Sequence, residues 1–369
     1  MDYKSSSLEN MVNKVTYIDS IFWKNKKVFI TGHTGFKGSW LTTWMKMLGA
    51  NVKGYSLSPN TNPNLYDISN AHKSISSEFA DIRDIKSFES SFHKFKPEIV
   101  FHLAAQPLVR YSYDHPRETY EVNLMGTLNL LDIIKKTDYV KSVVLVTTDK
   151  CYENKEWTYG YREIDPMGGF DPYSSSKGCC ELLISSYRRS FFNKKNSPNI
   201  ASVRAGNVIG GGDWSADRLI PDIINSIIKN KQIILRNPNS TRPWQHVLEP
   251  LSGYILLAQK LFNNSDYAEA WNFGPHADDC KSVSWITEKI INLWGYDQFW
   301  TSDKLKHPHE ANYLKLDISK AMNKLSWYPK LKLEKALDML IKWHKSYLKN
   351  ENMEEVMKNQ INEYLYGNK

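Results

Sequence analysis

The fold class of this chain is constrained most tightly at residues 27–48. Lys27-Val28-Phe29-Ile30-Thr31 is a short apolar run of β type. Gly32-His33-Thr34-Gly35-Phe36-Lys37-Gly38 follows at once, and a helix-like stretch extends from about Gly38 to Leu48. Glycines between a strand and a helix permit a tight turn and let backbone N–H groups approach an anion at the positive end of the helix. The spacing is G-x-x-G-x-x-G rather than G-x-G-x-x-G. Either pattern is weak alone; the strand–turn–helix setting gives it weight. The turn reads as a pyrophosphate cradle for a dinucleotide, made by Gly32, Thr34, Gly35, Phe36, Lys37 and Gly38. The acidic ribose reader expected about 20 residues on is absent, because the region reads Tyr55-Ser56-Leu57-Ser58. That position does not choose between NAD and NADP.

The rest of the first half keeps the same rhythm. Asn51–Ser56, Ile99–Leu103, Val143–Thr147 and Ile200–Val203 read as strands, with helical patterns between them such as Asn123–Ile134. Strands alternating with helices predict an α/β fold with a Rossmann-like, doubly wound parallel sheet. After about residue 205 the pattern turns irregular. Asp217–Lys229, Ser282–Leu293 and Leu333–Tyr347 read as helices and Ile233–Leu235 as extended, which predicts a smaller, mixed α/β C-terminal substrate domain. The expected division is a tail at 1–21 and a dinucleotide domain at 22–205, with return segments near 243–275. A second domain takes 206–242 and 276–350, and a C-terminal helix or tail 351–369.

With 369 residues, 41% of them hydrophobic, the chain has material for a real core, which excludes wholesale disorder and a small disulfide scaffold. No apolar run approaches the roughly 20 residues of a membrane span, and the first twenty residues carry no signal-like apolar stretch. Four cysteines without framework spacing suit a reducing compartment, so a cytoplasmic protein is expected. The net charge is +8, from 48 basic and 40 acidic residues. Only ten of the basic residues are Arg, and four of these lie between Arg204 and Arg242. That clustering points to an anionic small molecule rather than to nucleic acid or membrane.

Two segments carry candidate chemistry. In Tyr173-Ser174-Ser175-Ser176-Lys177 the Tyr and Lys stand at i and i+4, on one face of a helix opened by Asp171-Pro172. A cation beside a phenol lowers its pKa from about 10, so Tyr173 is expected to act as an acid/base on a hydroxyl with Lys177 as its activator. Thr147-Thr148-Asp149-Lys150 closes a strand, and ligands of open α/β sheets bind outside such carboxyl ends.

Together these residues resemble the extended short-chain dehydrogenase/reductase family of nucleotide-sugar enzymes. Matching stretches are Gly32–Trp40 (GHTGFKGSW), Thr61–Leu65, His102–Arg110 (HLAAQPLVR), Thr147–Tyr152 (TTDKCY), Tyr173–Lys177, Arg204–Trp214 (RAGNVIGGGDW), Asp217–Asp222 and Arg242–Pro250 (RPWQHVLEP). The resemblance runs from about Phe22 to Tyr347, and GHTGFKGSW and RPWQHVLEP are its most specific parts. Related dTDP-glucose and GDP-mannose dehydratases carry Glu where this chain has Lys150; the CDP-glucose dehydratase branch carries Lys.

The resemblance implies NAD as cofactor, with Asp81 and Ile82 near the adenine and Leu103, Ala104, Ala105, Asn123, Thr147, Tyr173 and Lys177 along the remainder. It implies CDP-glucose as substrate, held by Gln106, Arg110, Arg204, Asn207, Arg218, Arg236, Arg242 and His246, because Arg forks match diphosphate oxygens. The implied reaction oxidises C4, eliminates water across C5 and C6 and returns the hydride to C6. Thr148, Asp149, Lys150, Tyr173 and Lys177 would be catalytic. Tyr173 takes the 4-OH proton, Thr148 hydrogen-bonds the 4-oxygen, Lys150 removes the C5 proton and Asp149 protonates the leaving 6-OH. Lys150 needs a depressed pKa for this role. A 4-epimerase on the same fold is the alternative, needing Tyr173, Lys177 and Thr148 but not the Asp149/Lys150 pair. A non-catalytic NAD-binding regulator is more distant. Family analogy implies a homodimer or tetramer through the helices at 123–134 and 173–187. No metal site is expected, since Pro308 breaks the spacing of His307-Pro308-His309-Glu310. His102, Cys151, Cys179 and Cys180 are read as packing residues.

Overall fold

A computed structural model describes residues 18–303, 305 and 311–367. The sequence His307–Glu310 and most of the 1–21 segment lie outside them. Seven strands form one parallel sheet: β1 Lys27–Thr31, β2 Asn51–Ser56, β3 Ser76–Phe79, β4 Ile99–His102, β5 Ser142–Val146, β6 Asn199–Ala205 and β7 Ala270–Phe273. Their order is β7-β6-β5-β4-β1-β2-β3. Thr31 pairs with Tyr55 on one side and His102 on the other, so the chain reverses direction across the sheet at β1. Ligand crevices open at such a switch point, beyond the carboxyl ends of the strands. The strands are near-continuous apolar runs because both faces are covered; Ile99 to His102 are all buried.

Helices α1 Phe36–Met47, α2 Ile85–Phe95, α3 Gly126–Lys135, α4 Pro172–Ser190 and α5 Leu219–Ile228 follow in order. Then come α6 Leu248–Leu261, α7 Val283–Trp294, α8 Leu333–Leu348 and α9 Met353–Tyr366. One apolar layer beside the sheet combines Trp40 and Trp44 of α1, Leu251 and Ile255 of α6, and Met357 and Ile361 of α9. Residues 353–366 are thus a packed helix. On the other face Phe88 and Phe92 of α2 meet Leu130 and Ile134 of α3 and Ile184 of α4.

Two differences from the expectations have clear causes. The helix over Asn123–Ile134 is interrupted by a π-helical turn at Glu121–Met125, which apolar periodicity does not signal. Residues 18–21 are not all tail: a short helix at Ser20–Trp23 buries Trp23 completely. The second half builds a separate apolar cluster from Ile220, Ile223 and Ile224 of α5, Ile286 and Ile290 of α7, and Leu337 and Leu340 of α8. Two-stranded pairs surround it, among them Ile233–Leu235 with Trp300–Ser302. Some of its residues, among them Ile220 and Ile223, line one cavity with Thr147 and Ala205 at the carboxyl ends of the strands.

Candidate active site

The glycine turn forms one wall of this cavity. Gly32 has φ +71°, a conformation natural to glycine, and an added Cβ would lie 2.7 Å from the backbone nitrogen of Ala104. A Cβ on Gly38 would overlap the carbonyl of Gly32, whereas one on Gly35 would meet only ordinary contact. Gly35 caps α1 without a side-chain hydrogen bond, so the first N–H groups of the helix are left for an anion. Thr34 Oγ1 hydrogen-bonds Ser56 Oγ (2.8 Å) and donates to Leu57 O (2.9 Å), tying the turn to the end of β2. Leu103, Ala104 and Ala105 follow β4 across the switch point. Asp81 accepts from the Arg83 guanidinium (2.7 Å), and Ile82 is buried beneath Gly126.

At the end of β5 the chain makes a 3₁₀ turn at Asp149–Cys151, with Thr148 as its cap. Thr148 Oγ1 donates to Asp149 Oδ1 at 3.1 Å, and Asp149 Oδ2 has no hydrogen-bond partner. Burial pushes the Asp149 carboxyl up, against the pull of Lys150, Thr148, Arg242 and Lys37. Helix α4 starts from the Asp171 cap, whose carboxylate accepts from Ser174 N at 2.9 Å. This start presents Tyr173 to the same cavity as Phe36, Lys37, Thr148, Asp149 and Lys150. Lys37, half-buried in that wall, is brought down to about 8 by enclosure and then by the Arg218 guanidinium.

Tyr173 and Lys177 are both buried in the first turns of α4. Burial pushes the Tyr173 phenol up to about 12, and the groups that draw it back are the Thr148 hydroxyl and Arg218. Lys177 is buried and donates to Val146 O at 3.2 Å, with its own pKa lowered by burial. Sharing a helix face places the two residues together, and the backbone carbonyl at the end of β5 takes one of the three donors of the ammonium.

Four of the five arginines expected at the substrate line the same cavity. Arg110 and Arg236 reach Asp217 Oδ1 at 3.1 and 3.5 Å, Arg218 reaches Asp213 Oδ2 at 2.9 Å, and Arg242 and Asn207 complete the lining. Two expected substrate residues are elsewhere. Arg204 is buried between Glu181 (2.8 Å) and Tyr152 Oη (2.7 Å), away from the cavity. His246 is fully buried: its Nδ1 accepts from Leu248 N, its ring meets Trp40 edge-on, and burial lowers it to about 3. Both belong to β-segments whose inward faces are core, so motif membership overstated their access.

Other named residues are used within the fold. Asn123 holds Gln106 N and O and Ser176, Gln106 donates to Thr119, and Thr147 donates to Glu181 and Val203 O. Thr147 also lines the cavity. Burial raises Cys151, and all four cysteines are free thiols. Sequence reasoning missed the carboxylates Asp213, Asp217 and Asp222 among the arginines. The first stands in the RAGNVIGGGDW stretch and the others in DRLIPD, so their signal was present. Asp222 is raised to about 6, chiefly by burial. Among the described residues there is no cluster of three or more potential metal ligands, and no helix long and apolar enough to cross a membrane.

Comparisons with known proteins agree with this architecture. The family described as GDP-mannose 4,6 dehydratase matches residues 29–340. The chain is 54% identical to a CDP-glucose 4,6-dehydratase of Salmonella typhimurium, over 94% of this chain and 98% of the relative. It is 24% identical to a dTDP-glucose 4,6-dehydratase of Haemophilus influenzae, over 86% and 97%. Among solved structures, the Thermotoga maritima UDP-glucose 4-epimerase with UDP-glucose superposes with TM-score 0.76 at 23% identity, covering 87% and 99%. The Streptomyces venezuelae dTDP-glucose 4,6-dehydratase with NAD and TYD bound gives 0.75 at 20%, covering 88% and 98%. At those identities the likeness shows the shared fold alone. A family match spanning most of the chain, beside so similar a relative, leads to one conclusion: this chain is an enzyme belonging to the GDP-mannose 4,6-dehydratase family.

Proposed function

We propose that the chain converts CDP-glucose to CDP-4-keto-6-deoxyglucose and water. The observation that carries the reading is the Asp149–Lys150 step at the end of β5, which faces one cavity together with Thr148 and Tyr173. A 4-epimerase needs a proton acceptor at the 4-hydroxyl but no second acid/base pair for C5 and C6. The 54% identical relative bears the name of this dehydratase.

The turn fits NAD. Gly32 and Gly38 cannot carry a Cβ, the α1 N-terminus is free of a side-chain cap, and the turn opens onto the cavity at Phe36 and Lys37. Bound there, NAD supplies reversible hydride exchange with a sugar carbon. Around it Gly32, Thr34, Gly35, Phe36, Lys37 and Gly38 form the cradle, with Asp81, Ile82, Leu103, Ala104, Ala105, Asn123, Thr147 and Lys177 as its surround. Tyr173 Oη accepts the 4-OH proton while Thr148 Oγ1 orients the 4-oxygen. Lys150 Nζ removes the C5 proton, and Asp149 delivers one to the departing 6-OH. Arg110, Arg218, Arg236 and Arg242 hold the diphosphate, the first three exchanging Asp217 and Asp213 for phosphate oxygens. Asn207 and Gln106 support the sugar end. The assignment extends to a dinucleotide domain at 22–205 with 243–275, a sugar-nucleotide domain at 206–242 and 276–350, and a cytoplasmic homodimer or tetramer. The exposed Met125 and Leu182, on the two helices assigned to the dimer, support that pairing.

The test is a panel of CDP-, dTDP-, UDP- and GDP-hexoses with products identified by mass. CDP-glucose should lose one water. A 4-epimer of unchanged mass would overturn the proposal in favour of epimerisation, and turnover of another nucleotide alone would overturn the CDP assignment.

A further inference from the structure

A nucleotide sugar that reacts at Thr148, Asp149, Lys150 and Tyr173, with its diphosphate on the arginines, carries its base to the part of the cavity lined by the second half of the chain. Two of those arginines adjoin apolar segments. Arg218 directly precedes Leu219 at the start of α5, and Arg236 directly follows Ile233-Ile234-Leu235. Both segments line the cavity, and Ile220 and Ile223 share one apolar cluster with Ile233 and Leu235. A flat ring packs well against such a surface, and selectivity then comes from the few polar groups around it.

Leu219, Asp222, Ile223 and Ser226 line the cavity at positions i, i+3, i+4 and i+7 of α5, so one face of this helix is turned to the ligand. The neighbouring carboxylates are engaged: Asp213 holds Arg218, and Asp217 holds Arg110 and Arg236. The Asp222 carboxylate has no hydrogen bond, and no ion pair within 4.0 Å, among the described residues. A second polar group is also unmet. Ser240 Oγ is buried, lines the same cavity and has no hydrogen-bond partner. Its turn is fixed by Ser240 N donating to Asn237 O (3.2 Å) and Val283 N donating to Ser240 O (3.0 Å). Buried hydroxyls are nearly always paired, so this one marks a region that a polar ligand completes.

Donor direction supplies the discrimination. Cytosine carries an amino group at C4, a donor, where thymine and uracil carry a carbonyl, an acceptor. The Ser226 and Ser240 hydroxyls and the Asn237 amide can each donate or accept, so they tolerate either. An ionised carboxylate only accepts, and it repels a carbonyl placed against it. The Asp222 carboxyl, raised by burial to about 6, is still ionised at neutral pH.

Given the CDP-sugar reading, on which this inference rests, we propose that Asp222 selects the base: its carboxylate accepts a hydrogen bond from the N4 amino group of cytosine and rejects uracil and thymine, whose C4 carbonyl would face it.

The experiment measures binding without chemistry. The full chain with NAD added is titrated by calorimetry with CDP, with UDP, and with the 5′-diphosphate of 2-pyrimidinone riboside, which is CDP without the amino group. The parent should bind CDP about 10- to 100-fold more tightly than either of the others. In Asp222→Asn the amide can turn its oxygen to N4 or its nitrogen to O4, so the CDP-to-UDP affinity ratio should fall by about tenfold or more. Asp222→Ala should bind CDP and the deaminated analogue within a few-fold of each other. A disturbed helix would weaken all three ligands equally; parental ratios in either variant overturn the proposal. Should a variant bind none of them, the parent decides: equal affinity for CDP and the analogue overturns the proposal, and a preference for CDP supports it. Failure of the underlying reading looks different. A parent that binds CDP and UDP alike overturns the CDP assignment and this inference with it. Selective CDP binding with no water released from CDP-glucose overturns the dehydration alone.

Discussion

Arg204 Nη2 donates to Glu181 Oε2 at 2.8 Å, with both side chains only 3–4% exposed. The pair joins β6 to α4, the helix that presents Tyr173. Glu181 also accepts from Thr147 of the β5 end and from Ser202 of β6 (2.7 Å), and the Arg204 guanidinium lies over the Tyr152 ring. Removing one partner of a buried ion pair leaves the other uncompensated, at a cost of about 3–5 kcal/mol. Arg204→Ala should therefore lower unfolding free energy by about that amount in urea titrations. Its KM for the nucleotide sugar should change little where the variant remains folded. A large KM effect at unchanged stability would return Arg204 to the substrate site.

Tyr173→Phe removes the phenol but keeps the ring that closes the cavity. Turnover should fall by about 10²–10⁴-fold, while NAD titration by calorimetry remains close to that of the parent.

Lys150→Ala separates the two chemical stages. Cofactor reduction by CDP-glucose should persist, and exchange of the C5 proton with deuterated solvent should be lost, as read by NMR of recovered substrate. Exchange surviving in this variant would argue against Lys150 as the C5 base.

Gly206→Ala probes the space around the free oxygen of Asp149. The added methyl would overlap Oδ2 and approach Pro243 Cγ to 2.8 Å. A displacement of this size should reduce turnover by about 100-fold, with NAD affinity unchanged, since the added methyl meets Asp149 and Pro243 rather than the glycine turn.

Glu249 gives a pH prediction away from the chemistry. Burial pushes its carboxyl up to about 7, against hydrogen bonds from Leu331 N, Tyr364 Oη and Lys330 N. The folded chain holds this proton more tightly than the unfolded chain, whose value is near 4.5. The contribution to stability is thus full below about pH 4.5 and is lost as pH rises to about 7, by about 3 kcal/mol. Glu249→Gln should remove this decline, so the stability difference between variant and parent should change across that window. A difference independent of pH would show that Glu249 does not titrate there.

Much of this molecule is legible without coordinates because it depends on local rules. The strand–glycine–helix unit at 27–48 follows from turn sterics and periodicity, and β1 and β2 occupy the residue ranges that the apolar runs predict. Spacing and strand-end position single out Tyr173, Thr148, Asp149 and Lys150, and these four line one cavity. What local rules cannot supply is direction and competition among side chains. Arg204 and His246 sit in motifs with substrate candidates, yet both are buried by covering segments, where Glu181 and Trp40 meet them. Lys177 lies one turn from Tyr173, and the carbonyl of Val146, 31 positions earlier, takes one of its donors. The sequence alone reads five of the seven strands of the sheet, the turn and Thr148, Asp149, Lys150 and Tyr173. Only the tertiary structure decided which of them touch, because a buried polar group bonds to whatever partner the packing of distant segments brings within about 3 Å.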